Sequence, residues 1–272
     1  MTSNQSRNSY PTDLTDRQWL LLQPILEQVI DKSRGGRPSV HGYREIISAV
    51  MYVVRAGCAW RLMPNDFPSW QTVYGQFRRW TKNGAWNAIH DCLCEQVRVR
   101  QGRNSEPTAS IIDSQSVRGA DTVGRSTRGY DAGKKTNGRK RHIAVDTLGL
   151  LLVIMVTPAS VQDRVGAKPL LWMLHQRFPK VVLTWADGGY SGTLIVWLKK
   201  RFDAVLEIVK RSDDLKGFQV LPHRWIVERT FGWFMKCRRM TADYERLPES
   251  SVAIAQIVMI GVMTRRLTQS RN

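Results

Sequence analysis

The 272-residue chain carries 41 Lys and Arg against 23 Asp and Glu, a formal net charge of +18, so it favours a polyanionic partner such as nucleic acid over an acidic small molecule. Its hydrophobic content of 42% with ten Trp indicates a compact core rather than a polybasic tail. The N-terminus lacks an apolar signal, the longest apolar runs are shorter than a bilayer span, and the four Cys lack zinc-ligand spacing, so we expect a cytoplasmic protein that neither spans a membrane nor holds structural zinc.

The first hundred residues predict a small helical region. Apolar residues recur at helical spacing, and Gly-rich breaks and capping residues separate the repeats. Four helices are predicted, at about residues 15–30, 42–56, 69–83 and 86–97. Basic residues lie beside an aromatic stripe on the third, which is consistent with a helix-turn-helix type DNA-binding domain. An ordinary helical core would show the same aromatic spacing.

Three arginines of this region are candidate DNA contacts. Arg78 and Arg79 lie off the aromatic stripe of the third helix. Arg37 lies in a Gly-Arg-Pro stretch that resembles an arm entering the minor groove. The same stretch is also an ordinary turn between helices.

A polar linker, residues 101–107, separates this helical region from a second part that contains predicted strands as well as helices. Predicted strands there cover residues 110–117, 142–147, 151–157, 181–185 and 205–209, and helices cover about 166–178, 193–200, 223–240 and 252–263. Strands that first follow one another and then alternate with helices predict a mixed α/β sheet of five strands with flanking helices. We therefore predict two domains, residues 1–104 and 105–272.

Two aspartates lie where strands predict a buried sheet. Asp113 interrupts an apolar strand, and a carboxylate in that position needs a partner or a metal ion because an isolated buried charge is costly. Asp187 ends a later strand, and two glycines after it allow a sharp turn. Divalent ions such as Mg²⁺ prefer hard oxygen ligands of this kind.

A third carboxylate, Glu228, shares a predicted helix face with Arg224 one turn earlier. Taken singly, each of the three carboxylates could be a salt-bridge partner or a helix cap. Two further aspartates are rivals: Asp146 fits a hairpin turn, and Asp163 fits a helix N-terminus. His142, His175 and His223 could act as general bases, but a metal-bound water needs none.

Several stretches resemble bacterial insertion-sequence transposases of the DDE class, in the group centred on insertion sequence five. The matching stretches are GCAWRL at 57–62, DFPSW at 66–70, TVY at 72–74, FRRW at 77–80, IDSQS at 112–116, residues 135–151, ADGGY at 186–190 and VERTFGW at 227–233. The resemblance implies a ribonuclease-H-like catalytic domain in which Asp113, Asp187 and Glu228 are the catalytic metal ligands.

The resemblance also implies a Tyr and an Arg before the Glu and a Lys after it. Arg224 matches the Arg. Leu221 stands at the Tyr position, and Met235 stands at the Lys position with Lys236 beside it. We therefore predict Arg224 and Lys236 as DNA contacts and assign no role to Leu221.

A basic segment, residues 125–141, follows the strand that bears Asp113. Its glycines predict a flexible loop, and we expect it to clamp the DNA backbone beside the scissile phosphate. The predicted contacts are Lys134, Lys135, Arg139 and Lys140. A solvated charged face is the alternative.

The sequence thus predicts a transposase that binds the terminal inverted repeats of its element, cleaves the strands and joins them to target DNA. The resemblance implies two Mg²⁺ ions, with Mn²⁺ as a substitute, double-stranded DNA as partner, a homodimer or higher homo-oligomer on DNA, and a nucleoid-associated protein of the bacterial cytoplasm. A catalytically inactive DNA-binding regulator and a nuclease that does not join strands are the alternatives.

Overall fold

The computed structural model describes residues 9–30, 41–209 and 224–269. Its N-terminal part holds the four predicted helices: α1 (Asp16–Val29), α2 (Tyr43–Ala56), α3 (Trp70–Lys82) and α4 (Ala85–Arg100). Thr15 accepts a hydrogen bond from the backbone N–H of Gln18, and the Gln18 side chain bonds back to Thr15, a capping box that fixes the start of α1. Ser69 caps α3, since its side chain accepts a hydrogen bond from the backbone N–H of Thr72.

The aromatic stripe of α3 forms a core. Phe77 and Trp80 are buried, and Trp86 of α4 stacks edge-on against Trp80 with ring centroids 5.0 Å apart. Edge-to-face contacts of this kind add to the stability that burial provides. The buried half of the stripe is therefore structural, and only the other faces of α3 are available to a partner.

The second part is a mixed sheet of six strands: β1 (Ala109–Arg118), β2 (Gly129–Asp131), β3 (Thr136–Val145), β4 (Leu151–Pro158), β5 (Leu183–Ala186) and β6 (Val205–Ile208). The main strand order is β4-β3-β1-β5-β6, and the short β2 pairs with the start of β3. β1, β3 and β4 are antiparallel to one another, whereas β5 and β6 run parallel to β1. The predicted five strands are present, and this mixed sheet is consistent with the ribonuclease-H-like fold.

Four helices complete the second part: α5 (Asp163–Arg177), α6 (Thr193–Phe202), α7 (Arg224–Met235) and α8 (Pro248–Thr268). α8 is long and apolar enough to cross a membrane, but 67% of its apolar window is buried within the protein. It packs against α4, β4, α1, α2 and α7. This burial is typical of the core helix of a soluble protein. The hydrophobic core is continuous from α1 to α8, across the predicted linker, and the division at residue 104 stays a prediction.

The basic segment differs from its prediction. Residues 136–141 are not loop but the first half of β3, and β2 lies within the segment as well. Gly138 is required for close packing rather than for flexibility, because a Cβ there would lie 1.9 Å from the backbone oxygen of Val117. This glycine lets β1 and β3 pair closely. The prediction of a flexible loop through residue 141 is therefore wrong, and only residues before β3 remain candidates for a mobile clamp.

Candidate active site

Asp113 and Asp187 lie at the same level of two adjacent strands inside the sheet. β1 and β5 are parallel neighbours, and Ile111 is paired with Trp185. Asp113 follows Ile111 by two residues and Asp187 follows Trp185 by two, so the two carboxylates come from the same level. Asp187 directly follows the carboxyl end of β5, and ligands bind at the carboxyl ends of the parallel strands in sheets of this kind.

The pKa of the Asp113 carboxyl is raised to about 6. Burial is the main cause, and the nearby Asp187 contributes, whereas the hydrogen bond from the Ser114 backbone N–H and the positive charges of Arg224 and Lys134 act in the opposite direction. A buried carboxyl with a raised pKa lacks a sufficient counter-charge. An additional cation beside Asp113 would supply that charge.

Asp187 is held by the turn that follows it. Its Oδ1 accepts a hydrogen bond of 2.8 Å from the backbone N–H of Gly189, which fixes the short 3-10 turn Gly188–Tyr190. The side chain is about one third exposed. Its second oxygen, Oδ2, faces Arg224 at 3.8 Å. One oxygen is therefore used for local structure, and the other points towards α7.

Arg224 connects Glu228 to Asp187. Both residues lie on α7, which packs against β1 and β3. The Arg224 Nη2 atom lies 3.8 Å from Asp187 Oδ2 and 3.6 Å from Glu228 Oε1. Glu228 is half exposed, with 55% of its side chain accessible. One guanidinium thus lies between the carboxylates that the sequence singles out.

Over the residues that the structure describes, no group of three His, Cys, Asp or Glu side chains is arranged to hold a metal ion. The donor chemistry nevertheless fits a hard divalent cation. Arg224 lies between the Asp187 and Glu228 carboxylates, and the raised pKa of Asp113 shows that this carboxyl is short of positive charge. Glu228 would have to leave Arg224 and approach the aspartates to complete such a site.

A polar network behind Asp113 was not predicted. Tyr190 is buried, and burial together with the nearby carboxylates raises the pKa of its hydroxyl well above the usual value. The hydroxyl interacts with the Ser114 side chain, and Lys134 Nζ donates to the Ser114 oxygen atoms at 3.3 and 3.5 Å. The matching stretch ADGGY contains Tyr190, so the sequence held a signal for it. Nothing in the sequence places Ser114 near Lys134.

The two rival carboxylates each pair with a cation. Asp163 Oδ1 lies 2.8 Å from Lys140 Nζ, and Asp131 lies 3.1 Å from the same ammonium. Asp163 also interacts with the Ser114 side chain, next to Asp113. Asp146 accepts hydrogen bonds from the backbone N–H groups of Leu148 and Leu150, as a turn residue does, and it also pairs with Arg98. Both rivals thus have partners within the fold.

Two of the candidate histidine bases, His142 and His175, are buried. The His142 Nε2 atom lies 3.0 Å from the Thr157 hydroxyl, and burial lowers the pKa of the ring to about 4. His175 stacks on Phe202 at 4.4 Å. His223 lies outside the described residues.

Two predicted DNA contacts are corrected. Arg139 is fully buried and pairs with Asp243 at 3.3 Å, while Lys140 is 5% exposed between Asp131 and Asp163. Arg141 is buried too and donates to the backbone oxygen of Met240 at 2.8 Å. Carboxylates and backbone oxygens of the chain pair with these buried cations, which are therefore held within the fold rather than exposed to a partner.

The other predicted contacts lie at the surface. Lys134, Lys135, Arg79 and Lys236 are exposed. Arg78 is partly covered, since it donates to the Ser250 hydroxyl at 2.6 Å and lies 3.6 Å from Glu249. Arg37 and Leu221 lie outside the described residues.

Comparison with known proteins yields two family matches. The model of the family described as "Transposase DDE domain" matches residues 104–262 and includes all three carboxylates. The model described as "Putative transposase of IS4/5 family" matches residues 14–90, the region of the N-terminal helices.

Two curated relatives come from Burkholderia cepacia. The "Insertion element IS402 uncharacterized 16.2 kDa protein" is 26% identical over 110 residues, which are 39% of this chain and 72% of the relative. The "Putative transposase for insertion sequence element IS402" is 31% identical over 119 residues, 40% of this chain and 54% of the relative. The matched region thus spans about half the length of that transposase.

Proposed function

The chain belongs to the transposase DDE domain family, and we propose that it binds the ends of its insertion element as double-stranded DNA, cleaves a strand there and transfers it to target DNA. The proposal rests chiefly on one observation: Asp113 and Asp187 lie at the same level of adjacent parallel strands, and the pKa of Asp113 is raised to about 6. The two adjacent carboxylates therefore concentrate negative charge where a counter-cation is needed.

Asp113, Asp187 and Glu228 would hold the divalent ions, Mg²⁺ or its substitute Mn²⁺. Such ions would activate the attacking oxygen and stabilise the leaving oxygen of a phosphodiester. The chain's own residues prepare this site. Arg224 holds the Asp187 and Glu228 carboxylates together against their repulsion, and the Gly189 N–H fixes the orientation of Asp187.

Cations around the site would orient the DNA. Lys134 lies beside Ser114, next to Asp113, and is only loosely held, with contacts of 3.3 Å or longer and 46% of its side chain exposed. Its ammonium can therefore reach a phosphate near the carboxylates. Lys135, Lys236 and Arg79 extend the basic surface, and the N-terminal helices would recognise the element ends, in a homodimer or higher oligomer assembled on DNA.

The test is strand nicking of the element's own end DNA with Mg²⁺ by variants that remove one charge each: Asp113→Asn, Asp187→Asn and Glu228→Gln. We expect each to abolish nicking while the affinity for end DNA stays as in the unmodified protein. Asp203→Asn is the matched control, because Asp203 is an exposed aspartate that pairs with Lys199. Near-normal nicking by one of the three variants would remove that residue from the site.

Two further measurements separate the alternatives. A rise in unfolding temperature with Mn²⁺ that the three variants lose would show metal binding without reference to activity. Joining of the nicked strand to a target duplex distinguishes a transposase from a nuclease, and end binding without nicking or metal response would identify a regulator.

A further inference from the structure

One face of α7 carries alternating tryptophan and arginine side chains. Trp225, Arg229 and Trp233 follow at intervals of four residues, so they lie in a row along the helix. The Arg229 guanidinium lies 4.5 Å from the Trp225 ring centroid and 5.0 Å from that of Trp233. The Arg266 guanidinium, on α8, lies 4.4 Å from the Trp233 ring centroid. We call these four residues the Arg-Trp ladder.

Three members of the ladder, Trp225, Arg229 and Arg266, line an open cavity of about 500 Å³ between the ends of α4 and α8, the turn after β3, and α7. Arg100 lines it as well. None of the described residues that line it is an Asp or a Glu. Arg229 and Arg266 therefore meet no carboxylate among the described residues of the cavity wall.

The charges of the ladder oppose one another. Burial lowers the pKa of Arg266, and the neighbouring Arg229 lowers it further. The nearby carboxylate, Asp146, is buried and already paired with Arg98. Moreover, Arg229 Nε is buried without a hydrogen-bond partner among the described residues. An anion in the cavity would relieve this repulsion, because close like charges destabilise each other in a partly desolvated place.

The cavity also offers an aromatic surface. Trp225 is 43% exposed, although a tryptophan of a folded protein is usually well buried. A ligand that satisfies both features has a negative charge and a flat aromatic group. A nucleotide has both, whereas an acidic peptide or a lipid headgroup supplies only the charge.

The ladder is adjacent to the candidate active site. Arg229 directly follows Glu228 on α7, and Trp225 directly follows Arg224, so the two rows occupy neighbouring faces of one helix. The Arg-Trp ladder therefore lies next to Arg224 and Glu228 on the surface of α7.

We propose that the Arg-Trp ladder binds an unpaired nucleotide of the DNA strand next to the cleavage point, with its base stacked on Trp225 and its phosphates contacting Arg229 and Arg266. This site rests on the proposed function, since it presumes that DNA reaches the carboxylates. It makes α7 a helix with two roles: one face holds a catalytic carboxylate, and the next face holds the strand.

Arg229 has a structural role as well, which decides the choice of variants. Its Nη2 atom donates to the Leu148 backbone oxygen at 2.9 Å, and Gly149, with φ +76°, lies close against Arg229 and Trp233. Substitution of Arg229 would disturb the hairpin turn. Trp225 and Arg266 lie at the two ends of the ladder, so their replacement leaves this hydrogen bond in place.

The test measures the binding of the full chain to two labelled DNA probes in EDTA, by fluorescence anisotropy over a range of KCl concentrations. One probe is a thymidine oligonucleotide, and the other is a blunt duplex of random sequence. We expect Trp225→Ala to weaken binding of the oligonucleotide on the order of tenfold through lost stacking, and Trp225→Phe to restore most of it. Arg266→Gln should lower the slope of log affinity against log salt for the oligonucleotide by roughly 0.7.

The matched controls come from a second Arg-Trp stack on the surface. The Arg201 guanidinium lies 4.6 Å from the Trp172 ring, which is 40% exposed. Trp172→Ala and Arg201→Gln remove the same chemical groups at this other place. Both should leave the affinity and the salt slope for either probe unchanged.

The outcomes are distinct. If the unmodified protein binds neither probe, the proposed function itself fails. If it binds DNA but the ladder variants behave like their controls, the ladder site is wrong and the proposed function stands. An equal loss on both probes would also overturn the nucleotide assignment, because it would show a general phosphate surface. If Trp225→Ala unfolds the protein, the affinities of Trp225→Leu and Trp225→Phe for the oligonucleotide are compared instead, provided that the two variants have equal unfolding midpoints.

Discussion

Asp113 and Asp146 show two uses of a buried aspartate in one sheet. Asp146 is completely buried, yet two backbone N–H groups and Arg98 satisfy it. Asp113 accepts one hydrogen bond from the described part of the chain, from the Ser114 backbone, and faces Asp187. The first residue stabilises the fold, whereas the second is kept short of positive charge.

The same contrast holds for the cations of the basic segment. Arg139 pairs with Asp243 and Lys140 with Asp131 and Asp163, whereas Lys134 and Lys135 are exposed. A charged group that the protein satisfies contributes to the fold, and one that it leaves unsatisfied is available to a ligand. We therefore expect the number of partners, rather than burial alone, to separate functional residues from structural ones.

The largest expected effect comes from Asp146→Ala. The substitution leaves the buried Arg98 guanidinium and two backbone N–H groups without their partner. We expect the free energy of unfolding to fall by about 3–5 kcal/mol. Urea denaturation followed by circular dichroism measures it.

Asp113→Asn is the counterpart, measured without metal at pH 7. The rise of the Asp113 pKa from 3.8 to about 6 means that the ionised carboxylate destabilises the folded protein at neutral pH. That rise corresponds to at most roughly 3 kcal/mol. Asp113→Asn should therefore be at least as stable as the unmodified protein. A loss as large as that of Asp146→Ala would contradict the contrast between the two aspartates.

The next effect in size is that of His142 on the pH dependence of stability. Burial lowers its pKa from 6.5 to about 4, so between these values the unfolded chain binds a proton that the folded chain does not. Stability from this group is thus present above pH 6.5 and is lost as the pH falls towards 4, by roughly 3 kcal/mol at most.

His142→Gln should flatten this pH dependence between pH 6.5 and 4 in a series of urea titrations. His41→Gln, at the partly exposed start of α2, serves as the control and should leave the curve unchanged. A curve that keeps its slope in His142→Gln would assign the acid sensitivity to other groups.

The smallest expected effect concerns the exposed lysines Lys134 and Lys135, compared with the buried Lys140. Lys134→Ala combined with Lys135→Ala should reduce the dependence of log affinity for duplex DNA on log salt by roughly 0.9 per lost phosphate contact, with little change in stability. Lys140→Met should instead destabilise the protein, because Asp131 and Asp163 lose their shared cation. An unchanged salt slope in the double variant would make the exposed lysines a solvated surface.

Local patterns in the sequence were sufficient for most of the fold. Apolar periodicity and capping residues predicted α1, α3 and α4 to within a few residues, and the apolar runs predicted β1, β4 and β6. These features depend on neighbours along the chain, such as the Thr15 and Gln18 capping box. The resemblance supplied the three carboxylates, and parallel pairing of β1 with β5 puts the two aspartates at one level.

Only the tertiary structure decided which charges are satisfied. The sequence shows Arg139 and Arg141 as part of a basic run that is typical of a loop, because their partners lie far away along the chain: Asp243 and Met240 come about a hundred residues later. The Arg-Trp ladder likewise needs Arg266 of α8 beside Trp233 of α7. A residue's type and local pattern determine what it can bind, but its charge balance depends on contacts between distant segments, which local sequence does not contain.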